Sequence, residues 1–314
     1  MKAVTVRRFG GPDVLEVEEL PDPEVGKGEV CVRVAASSVN ASDTLLRTGR
    51  LRLPAGMVPP YVPGMEFAGH VVGVGEDADA PDVGTAVMGI TSMAVPGGGA
   101  QASLRCVPAT WVVPVPDGMS LAEAATVAMN GLTAWRALQL LALPSGAALG
   151  VTGAVGAVGG YVLTLARAAG LRVVADAAEA DVDQVRALGA TDVVPRGVDV
   201  ARSMRSLVPG GVDGLVDASV QGTATLIAAV RDGGGFAGVR RTGPLTSERD
   251  IAIHRVAVTD LLGRPDLLSR MAEQIASGPV RPRIAASYPP EGVADAHRRI
   301  EAGGVRGRLL IDFS

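Results

Sequence analysis

The sequence predicts an α/β protein with two parts, a β-rich barrel-like part and a doubly wound parallel sheet. Residues 1–118 contain short strand-like runs that are separated by clusters of Gly, Pro and Asp. Helical patterns begin after residue 119, where a capping box opens at Ser120. From Ala148 onward, short apolar runs alternate with helical patterns. This alternation is typical of parallel strands joined by right-handed helical crossovers.

The length and composition limit the classes of protein that need to be considered. The 314 residues suffice for two domains, which we predict to be 1–118 with 262–314, and 119–261. The net charge of −4 and the lack of a basic cluster argue against a nucleic-acid partner. No long apolar run suggests a membrane span, and two cysteines cannot build a disulfide framework. We therefore expect a cytoplasmic protein that binds neither nucleic acid nor membrane.

The most informative motif lies between Ala147 and Asp176. A short apolar run is followed by Gly153, Gly156 and Gly159, a helical pattern, a second apolar run and then Asp176. Strand, glycine turn, helix, strand and acid in this order form one βαβ unit of a dinucleotide-binding fold. The alternative is an ordinary glycine-rich turn, because the chain contains 41 glycines. The register of the flanking elements favours the cofactor interpretation.

Each residue of the turn has an expected contact with the cofactor. Glycines permit the tight turn, the close approach of a diphosphate and the packing of the helix on the strand. The helix N-terminus offers unpaired N–H donors to the diphosphate. Asp176 follows the first glycine at the spacing expected for an acid that binds the adenosine ribose. The expected contacts within the turn are Gly153, Ala154, Val155, Gly156, Ala157, Val158 and Gly159.

Several further motifs are distributed over nearly the whole chain. They are Met1–Val4, Phe9–Leu15, Ser38–Asn40 with Asp43, Arg47 and Gly49, Pro63–Gly69, and Gly131–Trp135. With the glycine turn, they resemble the medium-chain dehydrogenase/reductase superfamily, in its zinc-free quinone oxidoreductase and enoyl reductase branch. The resemblance implies a GroES-like β-barrel domain and a Rossmann domain, and it implies a homodimer. It also implies hydride transfer from NADP(H) or NAD(H) to a quinone or an activated C=C bond.

The resemblance also suggests site residues. Asn40 and Thr133 would line the nicotinamide end, although an Asx turn and a helix hydroxyl are their structural alternatives. Tyr61, His254 and water are the candidate proton donors, and His254 is more readily interpreted as a residue of the last strand or of a dimer edge. Asp43 and Arg47 stand four apart and predict a structural ion pair on a helix.

The motif Pro63-Gly64-Met65-Glu66 bears on metal binding. It corresponds to the Gly-His-Glu motif of zinc-containing relatives but has no histidine. His70 beside Val71 and Val72 is read as a strand residue. No set of three zinc ligands can be assembled, so we expect no zinc.

Cofactor preference and substrate remain open between alternatives. The acids around Asp176 oppose a 2′-phosphate, whereas the resemblance and Arg196 favour NADPH. Strand ends at Ser219 and at Val239 with Arg240 are expected to line the cofactor site. Leu45 and Leu51 replace pocket tyrosines of relatives, which favours a small hydrophobic enone or quinone. A catalytically silent nucleotide-binding protein and an alcohol/ketone oxidoreductase are the competing functions.

Overall fold

The computed structural model describes residues 1–197, 199–219, 223–239, 247–278 and 282–314. The chain forms two compact units. The first consists of Met1–Met129, Leu261–Ala276 and Arg281–Ser314, and the second of Asn130–Asp260 and Ser277–Val280. The predicted domain limits at 118/119 and 261/262 stay a prediction. Within the described residues, no helix combines the length and apolar character that crossing a membrane requires.

The first stretch of the first unit is rich in short antiparallel strands. Its strands are β1 (Lys2–Val6), β2 (Leu15–Glu19), β3 (Glu29–Val39), β4 (Glu66–Val74), β5 (Ala86–Ile90), β6 (Leu104–Pro108) and β7 (Val112–Pro114). Its helices are α1 (Ala41–Arg47) and α2 (Leu121–Ala124), and α2 opens with the predicted Ser120–Glu123 capping box. The strand β3 is central, because β4 and β6 both pair with it.

The second unit contains a parallel sheet with helical crossovers. Its helices are α3 (Ala128–Leu141, which begins in the first unit), α4 (Ala157–Ala168), α5 (Val182–Leu188), α6 (Val200–Leu207) and α7 (Thr223–Leu226). Its strands are β8 (Ala148–Thr152), β9 (Arg172–Ala177), β10 (Asp192–Pro195), β11 (Val212–Asp217), β12 (Val230–Gly238) and β13 (Ala252–Arg255). The spatial order is β10-β9-β8-β11-β12-β13, and all these pairs are parallel.

This strand order confirms the prediction of a doubly wound sheet. The chain moves outward from β8 through β9 to β10, and then returns to start again at β11 on the other side of β8. The junction of β8 and β11 is therefore the point at which the winding direction switches, where ligands of open α/β sheets bind. Leu215, Phe236 and Met204 are fully buried in the core of this unit.

The last part of the chain returns to the first unit. It contains α8 (Pro265–Ala276), β14 (Ile284–Tyr288), α9 (Val293–Ala302) and β15 (Arg308–Asp312). The strand β15 pairs antiparallel with β3 and parallel with β14, so the sheet order is β14-β15-β3-β4-β5-β7. The prediction that the final strand belongs to the first domain's sheet is confirmed. The α/β fold class is confirmed with it.

Candidate functional site

The glycine turn connects β8 to α4, and its geometry requires glycine. Gly153 has a φ of +69°, and a Cβ there would lie 2.7 Å from the carbonyl carbon of Ala218. A Cβ on Gly159 would lie 2.2 Å from the carbonyl oxygen of Gly153. Both positions therefore exclude any side chain, and they bring the turn against β11 and the helix against the turn.

The helix α4 begins with an N-terminus that has no side-chain cap. Its N-cap is Gly156, which has no side chain to accept from the first N–H groups. A Cβ on Gly156 would lie 3.0 Å from the Gly153 carbonyl oxygen. Ala157 and Val158 are half-buried in the first turn, whereas Ala154 is fully buried. The first turn thus offers a positive dipole end and backbone donors to an anion.

Asp176 lies within β9 and is fully buried. Its Oδ1 accepts a hydrogen bond from the backbone N–H of Ala154 at 3.1 Å, and its Oδ2 lies 3.5 Å from Nε of Arg196. Burial raises the pKa of Asp176 above its ordinary value, and the Ala154 N–H and Arg196 work in the opposite direction. The carboxylate therefore fastens the glycine turn to β9, a contact that sequence reasoning did not anticipate.

A second buried carboxylate, Asp217, joins the ends of β8 and β11. Its Oδ1 accepts from Oγ1 of Thr152 at 2.8 Å, from the N–H of Ser219 at 2.9 Å and from Oγ of Ser219 at 2.7 Å. The Val239 N–H donates to the Asp217 carbonyl oxygen at 3.0 Å, which ties the end of β12 to the same point. Ser219 and Val239 therefore follow the carboxyl ends of β11 and β12, as the sequence predicts. Arg240 lies outside the described residues.

In the first unit, Asn40 occupies the N-cap of α1 and is 2 % exposed. Its Oδ1 accepts from Nη2 of Arg308 at 2.8 Å, and its Nδ2 donates to Oγ of Ser38 at 3.1 Å. Asn40 thus stands at the start of a helix, a position that also suits the Asx turn given above as its structural alternative. Its amide is held on both sides by a buried polar cluster.

Glu66 is the anionic centre of that cluster. Its Oε1 lies 2.6 Å from Nη2 of Arg308 and accepts from Oγ of Ser38, while its Oε2 accepts from the N–H of Met129 at 2.8 Å. We define the Glu66 cluster as Ser38, Asn40, Glu66 and Arg308. Sequence reasoning missed Arg308. The available signal was the position of this charged residue directly before the apolar run Leu309–Ile311.

The predicted ion pair between Asp43 and Arg47 is wrong. Oδ2 of Asp43 accepts from the Asn40 N–H at 2.8 Å and from Nε2 of Gln101 at 3.2 Å. Burial raises the pKa of Asp43 to about 7. Arg47 instead pairs with Glu301 at the end of α9. Asp43 and Arg47 do lie on one helix, as their spacing of four predicts. Asp43, however, is the N3 residue of that helix and completes a capping box with Asn40.

The remaining candidates have different surroundings. The ring of Tyr61 stacks on Phe9, with centroids 5.7 Å apart, and its hydroxyl donates to the Met57 carbonyl oxygen at 3.2 Å. Thr133 is buried within α3. His254 lies in β13 and pairs with Ala237, so the strand interpretation of His254 is confirmed.

Comparison with protein families identifies the chain. The Alcohol dehydrogenase GroES-like domain matches residues 26–117, and the Zinc-binding dehydrogenase family matches residues 188–311. The chain belongs to the medium-chain dehydrogenase/reductase superfamily. The quinone oxidoreductase and enoyl reductase branch contains the relatives that it resembles, and by family the chain is an oxidoreductase.

Three relatives in sequence illustrate this membership. The chain is 28 % identical to human Quinone oxidoreductase, with 99 % of this chain and 97 % of the relative covered. It is 28 % identical to 2-methylene-furan-3-one reductase of Solanum lycopersicum, with 99 % and 79 % covered. It is 30 % identical to mouse Synaptic vesicle membrane protein VAT-1 homolog-like, with 69 % and 51 % covered. The chain thus matches about half the length of that last relative.

The chain is also similar to solved structures. A structure described as NAD-dependent alcohol dehydrogenase superimposes with a TM-score of 0.85, at 27 % identity and with complete coverage of both chains. Among the described residues of this superfamily member, no group of three or more His, Cys, Asp or Glu is arranged to hold a metal ion. His70 is an exposed residue of β4, as its strand interpretation predicts.

Proposed function

We propose that the chain is an NAD(P)H-dependent reductase that transfers hydride to a quinone or to an activated C=C bond. The glycine turn carries this proposal, because it lies at the switch point of the doubly wound sheet and excludes side chains at Gly153 and Gly159. The named quinone oxidoreductase and 2-methylene-furan-3-one reductase support the substrate class. The acceptor would be a small hydrophobic quinone or enone.

The residues at the carboxyl ends of the parallel strands fit a dinucleotide. The uncapped first turn of α4 would bind the diphosphate, because its N–H groups and dipole favour an anion. When bound, the cofactor supplies the hydride from its nicotinamide ring. The residues that we propose to contact it are Gly153, Ala154, Val155, Gly156, Ala157, Val158, Gly159, Asp176, Arg196, Ser219, Val239 and Arg240.

We propose NADPH rather than NADH as the preferred cofactor. The buried Asp176 carboxylate already accepts from the Ala154 N–H and faces Arg196, so part of its charge is balanced inside the protein. Arg196 is 36 % exposed, and its guanidinium presents several donors that suit a phosphate. Arg196→Ala should therefore weaken NADPH binding about tenfold or more and leave NADH binding unchanged. Arg186→Ala removes the same charge from the exposed side of α5 and is the matched control.

We also propose that the reaction needs no zinc. Glu66 of the Pro63–Glu66 motif is paired with Arg308 and accepts from the Met129 N–H, so its carboxylate is committed to protein donors. Met65 stands where the zinc-containing relatives have histidine, and a thioether is a poor zinc ligand beside imidazole or thiolate. Metal analysis of the purified chain tests this proposal, and stoichiometric zinc that is required for turnover would contradict it.

Three residues are proposed to act near the reacting atoms. Asn40 and Thr133 are buried polar residues within matched motifs, which supports their assignment to the nicotinamide end. Tyr61 is a half-buried phenol and is the proposed proton donor, which it becomes when its hydroxyl turns from the Met57 carbonyl oxygen to the substrate. Tyr61→Phe should lower kcat about tenfold or more if the phenol donates the proton. An unchanged kcat would assign the proton to another group.

The decisive experiment measures the oxidation of NADPH and NADH with a panel of quinones and enones. The reverse reaction with alcohols is measured in parallel. Turnover of a quinone or enone supports the reductase, and turnover of alcohols alone supports the alcohol/ketone alternative. Tight cofactor binding without oxidation on any acceptor supports the catalytically silent alternative.

A pair of glycine variants separates cofactor binding from general damage to the fold. Gly156→Ala introduces a Cβ at the mouth of the turn, 3.0 Å from the Gly153 carbonyl oxygen, and should weaken binding of both cofactors about tenfold or more. Gly160→Ala lies one turn later in α4, where the nearest atom to a Cβ is Cδ1 of Leu188 at 3.7 Å. This control should bind both cofactors normally. Homodimer formation and a cytoplasmic location stay predictions.

A further inference from the structure

Cys31 and Cys106 lie directly opposite each other on adjacent antiparallel strands. Cys31 is in β3 and Cys106 is in β6, and the register continues on both sides with Val30 opposite Val107 and Val32 opposite Arg105. Opposed residues of an antiparallel pair have Cα atoms about 4.5 or 5.5 Å apart. Disulfides span Cα separations of about 4.4–6.8 Å, so both spacings permit a bridge without movement of the backbone.

The two side chains also share one face of the sheet. Opposed residues project to the same side, and Val30 and Val32 project to the other side, where they join the core. The Cys106 thiol donates to the Pro23 carbonyl oxygen at 3.8 Å. Cys31 is 4 % exposed and Cys106 is 9 % exposed, so both side chains are buried.

The surroundings distinguish the two sulfur atoms. The neighbouring Cys106 thiol lowers the pKa of Cys31, and the Arg105 charge acts in the same direction, whereas burial and Glu29 oppose them. The neighbouring Cys31 thiol raises the pKa of Cys106, and burial adds to this increase. The Cys106 thiol donates its proton to the Pro23 carbonyl oxygen, which favours its protonated form, so Cys31 is the sulfur that reaches the reactive thiolate form first.

We propose that Cys31 and Cys106 form a modification site that hydrogen peroxide oxidises to a cross-strand disulfide. The Cys31 thiolate attacks the peroxide O–O bond, becomes a sulfenic acid and releases water once the leaving hydroxide is protonated. The Cys106 thiol then attacks the Cys31 sulfur, forms the S–S bond and releases a second water. Hydrogen peroxide accepts two electrons, and the two thiols lose them. This proposal does not depend on the proposed reductase activity.

The bridge would tie β6 to the central strand of the first unit. It would close a covalent loop between residues 31 and 106 and thereby lower the conformational entropy of the unfolded chain. The oxidised protein should consequently unfold at a higher temperature than the reduced protein. A dithiol reductant should reverse the change.

The test treats the full chain with hydrogen peroxide, denatures it and alkylates any remaining thiols. We expect the oxidised wild type to lose two hydrogen atoms by intact mass and to take up no alkylating reagent. A peptide that joins Cys31 to Cys106 should appear only without reductant. The melting temperature should rise on oxidation and return to its original value with dithiothreitol.

Cys31→Ser and Cys106→Ser are the matched controls, because each retains one thiol and cannot form the bridge. Neither should lose two hydrogen atoms or gain melting temperature on oxidation. The proposal is overturned if both wild-type thiols remain alkylatable, if Cys31 proceeds to a sulfinic acid, or if the disulfide joins two chains. The principal readout uses the wild type, so a poorly folded variant leaves the test intact.

Discussion

The imidazole of His297 should make the first unit sensitive to mild acid. His297 lies in α9 and is fully buried, and neither of its ring nitrogens has a hydrogen-bond partner among the described residues. Burial, together with the neighbouring Arg47 charge, lowers the pKa of His297 from 6.5 to about 3. The folded chain therefore holds a neutral imidazole at a pH where the unfolded chain binds a proton.

The sign and size of the effect follow from that difference. The stabilising contribution is complete above pH 6.5 and is lost as the pH falls from 6.5 towards about 3. Each pH unit within this window removes about 1.4 kcal/mol from the free energy of unfolding. Acidification to about pH 5 should therefore cost about 2 kcal/mol, and the whole window about 5 kcal/mol.

The assay compares urea unfolding of the wild type with that of His297→Leu at about pH 7.5 and about pH 5. The leucine has no proton to bind, so the wild type should lose about 2 kcal/mol more than the variant on acidification. His70→Gln removes an exposed histidine and should behave as the wild type does. If wild type and His297→Leu lost equal stability on acidification, the inference that His297 is buried as a neutral imidazole would be refuted.

Three further predictions concern buried carboxylates. Burial raises the pKa of Asp43 to about 7, so its stabilising contribution is lost as the pH rises from 3.8 through 7. Asp43→Asn should therefore gain about 3 kcal/mol relative to wild type between about pH 5 and about pH 8 in urea unfolding, and a constant difference would contradict it. Asp217→Ala removes the acceptor of Thr152 and Ser219 and should cost about 2–4 kcal/mol in the same assay, against about 1 kcal/mol for Ser219→Ala. Equal losses would show that the carboxylate is not the common acceptor. Arg308→Met leaves Glu66 buried without its cation and should cost about 3–5 kcal/mol, most of which Glu66→Gln should recover in the double variant. A double-mutant cycle measures this coupling, and strictly additive losses would argue against it.

The two buried carboxylates of the second unit explain how the glycine turn is held. Asp176 accepts from the Ala154 N–H on one side of the turn, and Asp217 accepts from Thr152 immediately before Gly153. Ala218, next to Asp217, lies so close that it excludes a side chain at Gly153. The turn is therefore fixed from β9 and from β11, so its N–H donors are arranged before any ligand arrives.

Much of the second unit's fold could be predicted because its signals are local. The apolar run Ala148–Val151, the glycine turn, the helix ending near Gly170 and the strand containing Asp176 all lie within about thirty residues. Their order determines a βαβ unit whatever the rest of the chain does. The missed contact of Asp176 with Ala154 shows the limit, because a spacing cannot tell which atom a carboxylate faces.

The sequence by itself determined the order of strands and helices, the glycine positions and the family motifs, because each depends on neighbours along the chain. Only the tertiary structure decided the partners of the buried charges. Glu66 meets Arg308 across 242 positions, and Arg47 meets Glu301 across 254, through strand and helix packing that no local pattern encodes. Desolvation makes such partners essential, so buried charges are assigned only when the fold brings the distant segments together.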